Sequence, residues 1–384
     1  MSGDVHGSRR DGYPRVLVVG AGIGGLGVAR ALALRGITAD VVEREPRWDQ
    51  AGAGIYLPGN AMRALRALGL ASAVTAGGAR IPHQRICDDR GNLLTEIDLA
   101  HLWGDVGPCV ALHRSDLLDT LLSYGDGVPV RMGLPVQRLH QQRDVVTVEF
   151  GDGTAGEYDL VVGADGVHST VRDLILGTGA IRPLGQCAWR FVTRCPVEVK
   201  TWTVYLGREV TFLAVPIGRG QVYCYCDAKA DVDTRRPGDA VTEQLAELLA
   251  DFAGPVPAIL DSIGRETAVH VGPIEEVAID RWRRESVLLI GDAAHATSPN
   301  MAEGAAMALE DGLVLADCLA SERLIPQALA RFEAKRGPRT RWVRAQTRRR
   351  DRTRSLPPVV RNLVLRRWGR QIFHHNYRPL LDLP

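Results

Sequence analysis

The chain predicts an α/β fold, with a mostly antiparallel β-sheet inserted into a parallel one and helices at the C-terminus. Three observations point there. Residues 16–44, VLVVGAGIGGLGVARALALRGITADVVER, read as strand, glycine turn, helix and second strand. Two later apolar strands, at 158–162 and 286–290, each run into a glycine turn. Between them, residues from about 183 to about 271 alternate polar and apolar, with sparse helical periodicity until 242–252. At 384 residues the chain exceeds the usual single-core size, so two domains are expected.

Residues 16–19 are apolar and β-branched, the pattern of a buried parallel strand. Gly20, Gly22 and Gly25 follow in G-x-G-x-x-G spacing, with Gly24 inside it. One glycine makes the turn, one lets the backbone approach a pyrophosphate, and one lets the helix pack close to the strand. Residues 26–34 continue as helix and Gly36 stops it. Residues 38–42 form the second strand, closed by Glu43, whose carboxylate can accept hydrogen bonds from a ribose diol. This is a Rossmann-type unit for a dinucleotide, NAD or FAD.

A glycine-rich loop covers 46–58, and a helix follows at 61–70 with Met62, Leu65 and Leu68 on one side. Residues 85–99 read as two strands joined by a turn at 89–92. An apolar helix at 117–124 has Ser115 as its N-cap, which holds Arg114 at the helix start. Residues 136–150 and 157–162 bracket a hairpin that turns at Asp152-Gly153. The next turn, Gly163-Ala164-Asp165-Gly166, places Asp165 at the C-terminal end of a strand, where α/β sheets hold their ligands.

Segments 188–193, 201–206, 210–215 and 221–226 form the inserted sheet. It carries Trp189, Phe191, Trp202, Tyr205, Phe212, Tyr223 and Tyr225, an aromatic set that suits a core and also a substrate wall. After the strand at 286–290, Pro299 ends a loop and a helix runs from near Gly304 to Leu319. Residues 335–378 are dense in arginine and predict a solvated basic helix packed on the core. No nucleic-acid-binding motif accompanies them, and the net charge is only +2. The polar first fourteen residues lack the apolar stretch of a signal peptide, and no apolar run is long enough to cross a bilayer. The seven scattered cysteines read as buried free thiols, which suits the cytoplasm, and no Cys/His grouping has zinc spacing.

Three motifs therefore stand in order: the glycine turn with Glu43, Gly163-Ala164-Asp165-Gly166, and Gly291-Asp292-Ala293-Ala294-His295 with Pro299 and Gly304. Together they resemble the single-component FAD-dependent aromatic hydroxylases, the family of para-hydroxybenzoate, salicylate and urate hydroxylases. The resemblance implies a Rossmann-type FAD-binding domain over 1–78, 100–182 and 272–340. It implies a substrate-binding β-sheet domain over 79–99 and 183–271, and a C-terminal basic helical segment over 341–384. Gly20, Gly22, Gly24 and Gly25 would seat the FAD pyrophosphate on a helix N-terminus. Glu43 would bind the ribose, Arg44 would lie beside the adenine, and Val136 would lie against the adenine end. Arg114 would reach the FAD, Asp165 would serve FAD and the nicotinamide, and Asp292 would hold the ribityl chain. The helix start at Gly304, Ala305 and Ala306 would aim its N–H groups at the flavin pyrimidine and stabilise negative charge there. The family's usual Pro-x-x-Gly-Gln-Gly is here Pro299-Asn300-Met301-Ala302-Glu303-Gly304, and Glu303 is expected to turn outward.

The implied activity is an NAD(P)H- and O2-dependent monooxygenase that hydroxylates an electron-rich aromatic or heteroaromatic small molecule through a C4a-hydroperoxyflavin. An epoxidase, a natural-product-modifying monooxygenase or a non-oxygenase FAD dehydrogenase would share the fold. No second G-x-G-x-x-G is present, so NADH or NADPH would dock transiently. Substrate contacts are expected from Tyr205, Phe212, Tyr223, Tyr225 and Pro299. Arg190 or Arg208 would pair with a substrate anion. His295 is a candidate base whose position in the family is usually structural. A monomer or homodimer is expected.

Overall fold

The structure, a computed structural model, describes residues 14–48, 53–123, 129–194, 199–229 and 239–384. Strand β1 (Val16–Val19) is buried along its length and leads through the glycine turn into α1 (Ile23–Ala33) and β2 (Ala39–Val42). After β3 (Gly54–Leu57), the single helix expected at 61–70 divides. Gly69, at φ +77°, turns the chain between α2 (Gly59–Ala67) and α3 (Ala71–Gly77). Next come β4 (Ala79–Arg80), the hairpin β5 (His83–Asp88) and β6 (Leu93–Asp98), α4 (Leu99–Trp103) and β7 (Val110–His113). Helix α5 (Arg114–Ser123) starts directly at the end of β7, with the Arg114 N–H bonded to Ala53 O at 2.9 Å. Ser115 therefore lies inside the helix and is not its cap.

The hairpin expected over 136–162 keeps its turn at Asp152-Gly153, where the Gly153 N–H bonds Phe150 O at 3.1 Å, but its strands divide differently. After β8 (Val130–Arg131), β9 (Val136–Gln142) and β10 (Val145–Phe150) already form a hairpin, turning at Arg143 with φ +53°. Strand β11 (Ala155–Tyr158) is the third strand of that small sheet. At Asp159, whose carboxylate accepts the Arg15 N–H at 2.7 Å, the chain crosses to β12 (Leu160–Gly163) in the parallel sheet. Helix α6 (Thr170–Leu176) follows.

The inserted region contributes β13 (Ile181–Arg194), β14 (Trp202–Leu206), β15 (Val210–Gly218) and β16 (Gln221–Lys229). Helices α7 (Asp239–Leu248) and α8 (Val256–Asp261) and strand β17 (His270–Val277) complete it. The chain then returns through β18 (Arg283–Arg284), β19 (Val287–Leu289) and the short α9 (Asp292–His295). It ends in α10 (Gly304–Ser321), α11 (Ile325–Arg354) and α12 (Pro358–Leu381).

The first sheet runs β18-β19-β12-β1-β2-β8, parallel except for β18. Neighbours β2 and β12 lie on opposite sides of β1, so the strand order switches at the glycine turn, the place where such sheets bind ligands. The second sheet runs β17-β13-β16-β15-β14-β5-β6 and is antiparallel except where β14 meets β5. One core unites the parallel sheet with α1, α2 and α10, and another lies between the second sheet and α7–α8.

The C-terminal segment packs on the core as expected and exposes Arg341, Arg349, Arg352, Arg366 and Arg367, but others of its arginines are buried or paired. Arg336 and Arg361 are buried, and Arg339, Arg348, Arg350 and Arg354 are engaged by carboxylates or carbonyls. The partners lie far away in sequence, which is why charge density alone suggested solvent exposure.

Candidate functional site

A cavity of about 480 Å³ lies between the second sheet and the starts and ends of α10, α11 and α12. Strand alternation decides its wall. Arg190, Tyr225, Leu213, Val204 and Ile86 are paired neighbours across β13, β16, β15, β14 and β5, and all five line the cavity. The next row, Trp189, Cys226, Phe212, Tyr205 and Cys87, points the other way into the second core. Of the expected substrate contacts, Arg190, Tyr223, Tyr225 and Pro299 therefore meet at the cavity. Tyr205 and Phe212 do not, because they pack on each other with ring centroids 6.3 Å apart on the opposite face. Arg208 is exposed in the turn between β14 and β15 and does not line it either.

The Arg190 guanidinium lies 5.5 Å from the Tyr225 ring centroid. Burial pushes the Tyr223 hydroxyl up to about 12, against the pull of Arg190 and Arg114. Tyr223 is thus a hydrogen-bond donor at neutral pH. Trp202, Leu206 and Val215 extend an apolar wall.

The C-terminal helices supply lining that the sequence reading assigned to solvent: Arg350 and Arg354 from α11, and Leu365, Ile372 and Phe373 from α12. Arg354 forms a two-pronged pair with the buried Asp227, Nη1 to Oδ2 at 3.1 Å, and donates to Asn300 Oδ1 at 2.6 Å. Arg350 lies 4.9 Å from the Phe373 and Tyr377 ring centroids and donates to Asn300 O at 2.9 Å. Tyr377 donates to Met301 O at 2.8 Å. The loop before α10 is thereby clamped from behind.

The opposite side of the site is built for an anionic dinucleotide. Gly20 has φ +101°, and a Cβ there would lie 2.6 Å from Ala164 O. A Cβ on Gly25 would lie 1.8 Å from Gly20 O, so α1 can start only on glycine. Gly22 faces open space, and α1 has no side-chain cap. Helix α10 has no side-chain cap either, and Gly304 and Ala305 line the cavity while Ala306 is buried. Close packing sets both helix starts: Gly27 meets Leu309, and Gly312 meets Val28. Gly24 faces Ala308. Two uncapped helix starts leave free N–H donors and positive dipole ends, which fit a pyrophosphate and an electron-rich ring edge. Glu43 turns back on the glycine turn, accepting from Ala21 N at 2.8 Å and Glu45 N at 3.0 Å. Arg44 is exposed and 3.3 Å from Glu45. Val136 is buried just after Leu134, whose N–H bonds Glu43 O at 2.8 Å. Asp292 is exposed beside Gly304 and lines the cavity. Arg114 is exposed at the start of α5.

Asp165 caps the turn into α6, accepting from Ser169 Oγ at 2.6 Å and Val171 N at 3.1 Å. Burial nonetheless raises its pKa. His295, the candidate base, faces the core: its Nε2 lies 2.7 Å from Asp311 Oδ2, which also accepts the Gly291 N–H at 2.9 Å. Arg336 Nε donates to the other Asp311 oxygen at 2.7 Å. Burial pushes the Asp311 carboxyl up, but His295 and Arg336 outweigh it and hold the pKa below its ordinary value.

Glu303 does not turn outward. It is 2% exposed and accepts from Asn60 Nδ2 at 2.9 Å. Burial is the main cause pushing its pKa up to about 8. The preceding Ala302, in the place of the usual glycine, takes the left-handed conformation at φ +53°. Among the described residues Cys87, Cys109, Cys187, Cys226 and Cys318 are buried free thiols and Cys224 is buried; Cys195 lies outside them. Among the described residues no helix is long and apolar enough to cross a membrane.

The FAD binding domain family matches residues 13–346. The chain is 35% identical over 326 residues to the aurachin C monooxygenase/isomerase of Stigmatella aurantiaca, covering 84% of each protein. It is 32% identical over 339 residues to the 2-heptyl-3-hydroxy-4(1H)-quinolone synthase of Pseudomonas aeruginosa, covering 86% of this chain and 87% of that one. The structure of Klebsiella pneumoniae HpxO complexed with FAD and uric acid superimposes with a TM-score of 0.88 at 28% identity. That match spans 96% of this chain and 97% of the other.

Proposed function

The chain belongs to the FAD binding domain family and is an FAD-dependent monooxygenase; from that premise we propose that its substrate is an electron-rich heteroaromatic ring with an apolar substituent. NADH or NADPH, docking transiently, is the proposed reductant. The observation that carries the substrate reading is the cavity wall. Arg190 and the phenols of Tyr225 and Tyr223 stand at one end of a sheet wall that continues through the apolar Leu213, Val204 and Ile86, while the other lining cations Arg350 and Arg354 are engaged by Asn300 and Asp227. An apolar wall extended by Leu365, Ile372 and Phe373 suits a hydrocarbon tail, while Arg190 suits an enolate or phenolate oxygen. The names of two relatives, acting on aurachin C and making 2-heptyl-3-hydroxy-4(1H)-quinolone, support the same substrate class.

Bound FAD supplies the redox chemistry that activates O2. The chain's part is to bind, orient and exclude water. The free N–H groups at the start of α1 hold the pyrophosphate, and Glu43, already folded over the turn, takes the ribose. Asp292, which lines the cavity, would take the ribityl chain, and the uncapped start of α10 would meet the pyrimidine edge. Arg190 favours the anionic form of the substrate oxygen, which enriches the ring carbon that is attacked. Tyr223 holds a proton on its hydroxyl and donates the hydrogen bond that fixes the ring's orientation. The substrate-contacting unit is proposed as 79–99 with 183–271, completed by 341–384; the pairing of β5 with β14 supports it. A cytoplasmic location is proposed from the buried thiols of Cys87, Cys109, Cys187, Cys226 and Cys318.

The test is NADH and NADPH oxidation by the FAD-loaded protein across 4-quinolones with and without alkyl chains, phenols and purines. The expected result is strong stimulation by alkylated quinolones and a product heavier by one oxygen, whose regiochemistry separates hydroxylation from epoxidation. Stimulation by compact purines or phenols alone would sink the substrate reading.

A further inference from the structure

Two carboxyl groups flank Asn60 beneath the first turns of α10, and their surroundings differ sharply. Glu310 receives Arg336 Nη1 at 2.8 Å and Arg339 Nε and Nη2, both at 2.7 Å, with Arg63 at 3.6 Å. Among the described residues Glu303 receives no cation, only Asn60 Nδ2 on its Oε2 at 2.9 Å. Its other oxygen, Oε1, is buried without a partner, and so is Asn60 Oδ1. Two acceptors are thus left over on a pair already joined by one hydrogen bond. A proton on Glu303 Oε1 would turn one of these two acceptors into a donor, and only a carboxylic acid carries it. Each orphan would otherwise carry the full penalty of a buried polar atom without a hydrogen bond, larger if charged.

We infer that Glu303 is held as the neutral acid and donates its Oε1 proton to Asn60 Oδ1, so that it adds no negative charge to that of Asp292 at the positive end of α10, where that end faces the flavin. The inference rests on the proposed role of α10 at the pyrimidine edge. Glu303 occupies the N-cap position of α10 with its side chain turned into the core, away from the cavity. The titratable and charged groups around it are Tyr56 from β3, Cys109 before β7, Glu310 from α10, Arg339 and Arg350 from α11, and Tyr377 from α12. Burial, the largest cause, and Glu310 favour the neutral form; the Asn60 hydrogen bond opposes it, as do Arg339 and Arg350, both occupied elsewhere. Ionisation would set a negative charge at the same helix end that stabilises electrons on the flavin. Glu303 is therefore a positioning residue whose protonation keeps the flavin easier to reduce.

The first arm of the test uses apoprotein, so it does not depend on the flavin. Infrared difference spectra of wild-type protein, with and without carbon-13 glutamate, are expected to show a protonated carboxyl band at pH 7 that titrates away near pH 8. Glu303→Gln, which can still bond Asn60, is expected to lack the band. Wild-type protein without an acid band at pH 7 overturns the inference, whether or not the variant folds. The second arm measures the flavin midpoint potential against pH. Wild type is expected to show an added downward step near pH 8, on the order of tenfold in the reduced-to-oxidised ratio, or about 30 mV for a two-electron couple. Glu303→Gln is expected to lack the step. An acid band with identical potential profiles overturns the coupling to the flavin. Failure of the protein to retain FAD at all strikes instead at the functional reading.

Discussion

Gly22 and Gly25 sit three residues apart, and their substitutions should fail in different ways. A Cβ at position 25 would overlap Gly20 O, whereas one at position 22 meets nothing within 4 Å. Gly25→Ala is expected to abolish soluble folded protein. Gly22→Ala is expected to fold with normal circular dichroism and yet retain little FAD, read from the flavin-to-protein absorbance ratio, because its methyl would occupy the approach of the pyrophosphate. Ala302 presents the opposite case. It holds φ +53° with a side chain, a conformation that costs an L-residue about 1–2 kcal/mol. Glycine relieves that strain but adds about 0.5–1 kcal/mol of unfolded-state entropy. Ala302→Gly is therefore expected to be neutral to stabilising, by up to about 1 kcal/mol in urea denaturation. At the cavity, Arg190→Met removes the cation but keeps the apolar stem. A charged hydrogen bond contributes about 1.5–3 kcal/mol, so kcat/KM for an acidic substrate should fall about 10- to 100-fold. An unchanged kcat/KM would remove Arg190 from the anion-binding role.

At the scale of elements, the buried pair of Arg354 on α11 and Asp227 on β16 ties the C-terminal helix to the substrate-facing sheet. Removing one partner strands a buried charge. Asp227→Ala is expected to cost about 3–5 kcal/mol in urea unfolding, and the double replacement Asp227→Leu with Arg354→Met to recover most of it. A double variant no more stable than the single one would show that the pair contributes more than mutual neutralisation. This pair also marks what the chain hides from a reader of its sequence. The glycine turn was legible because its requirements lie within six residues. The antiparallel insert was legible because alternation is local. Which aromatic side chains face the cavity was not, because Tyr205 and Tyr225 differ only in the register that places them on opposite rows. The buried arginines were hidden for a related reason. Arg354 and Arg348 find their carboxylates 127 and 72 residues away, and no local pattern announces such partners. Glu303 was expected in solvent on the general rule for carboxylates, and Asn60, 243 residues away, is what lets it stay inside.

For the whole molecule, the pH dependence of stability sums groups of opposite sign, and two can be separated. Asp311 has a depressed folded pKa, so its contribution is present above the ordinary aspartate range and is lost as pH falls through the folded value. Glu303 has a folded pKa raised from 4.5 to about 8. Between those values the native state holds a proton that the unfolded chain has released, so stability declines as pH rises through that window. One proton gives a slope of at most about 1.4 kcal/mol per pH unit. Above the folded value both states are ionised and the slope vanishes. All other groups are shared by wild type and Glu303→Gln, so the difference between their urea-derived stabilities isolates this one carboxyl. Relative to wild type, the variant is expected to gain stability steadily from about pH 5 to pH 8 and to level off above. The same rise in Asp311→Asn, or a flat difference in Glu303→Gln, would place the buried proton on another group. An acid retained inside the core thus carries a stability cost toward alkaline pH, and in return Glu303 adds no negative charge to the helix end at the cofactor.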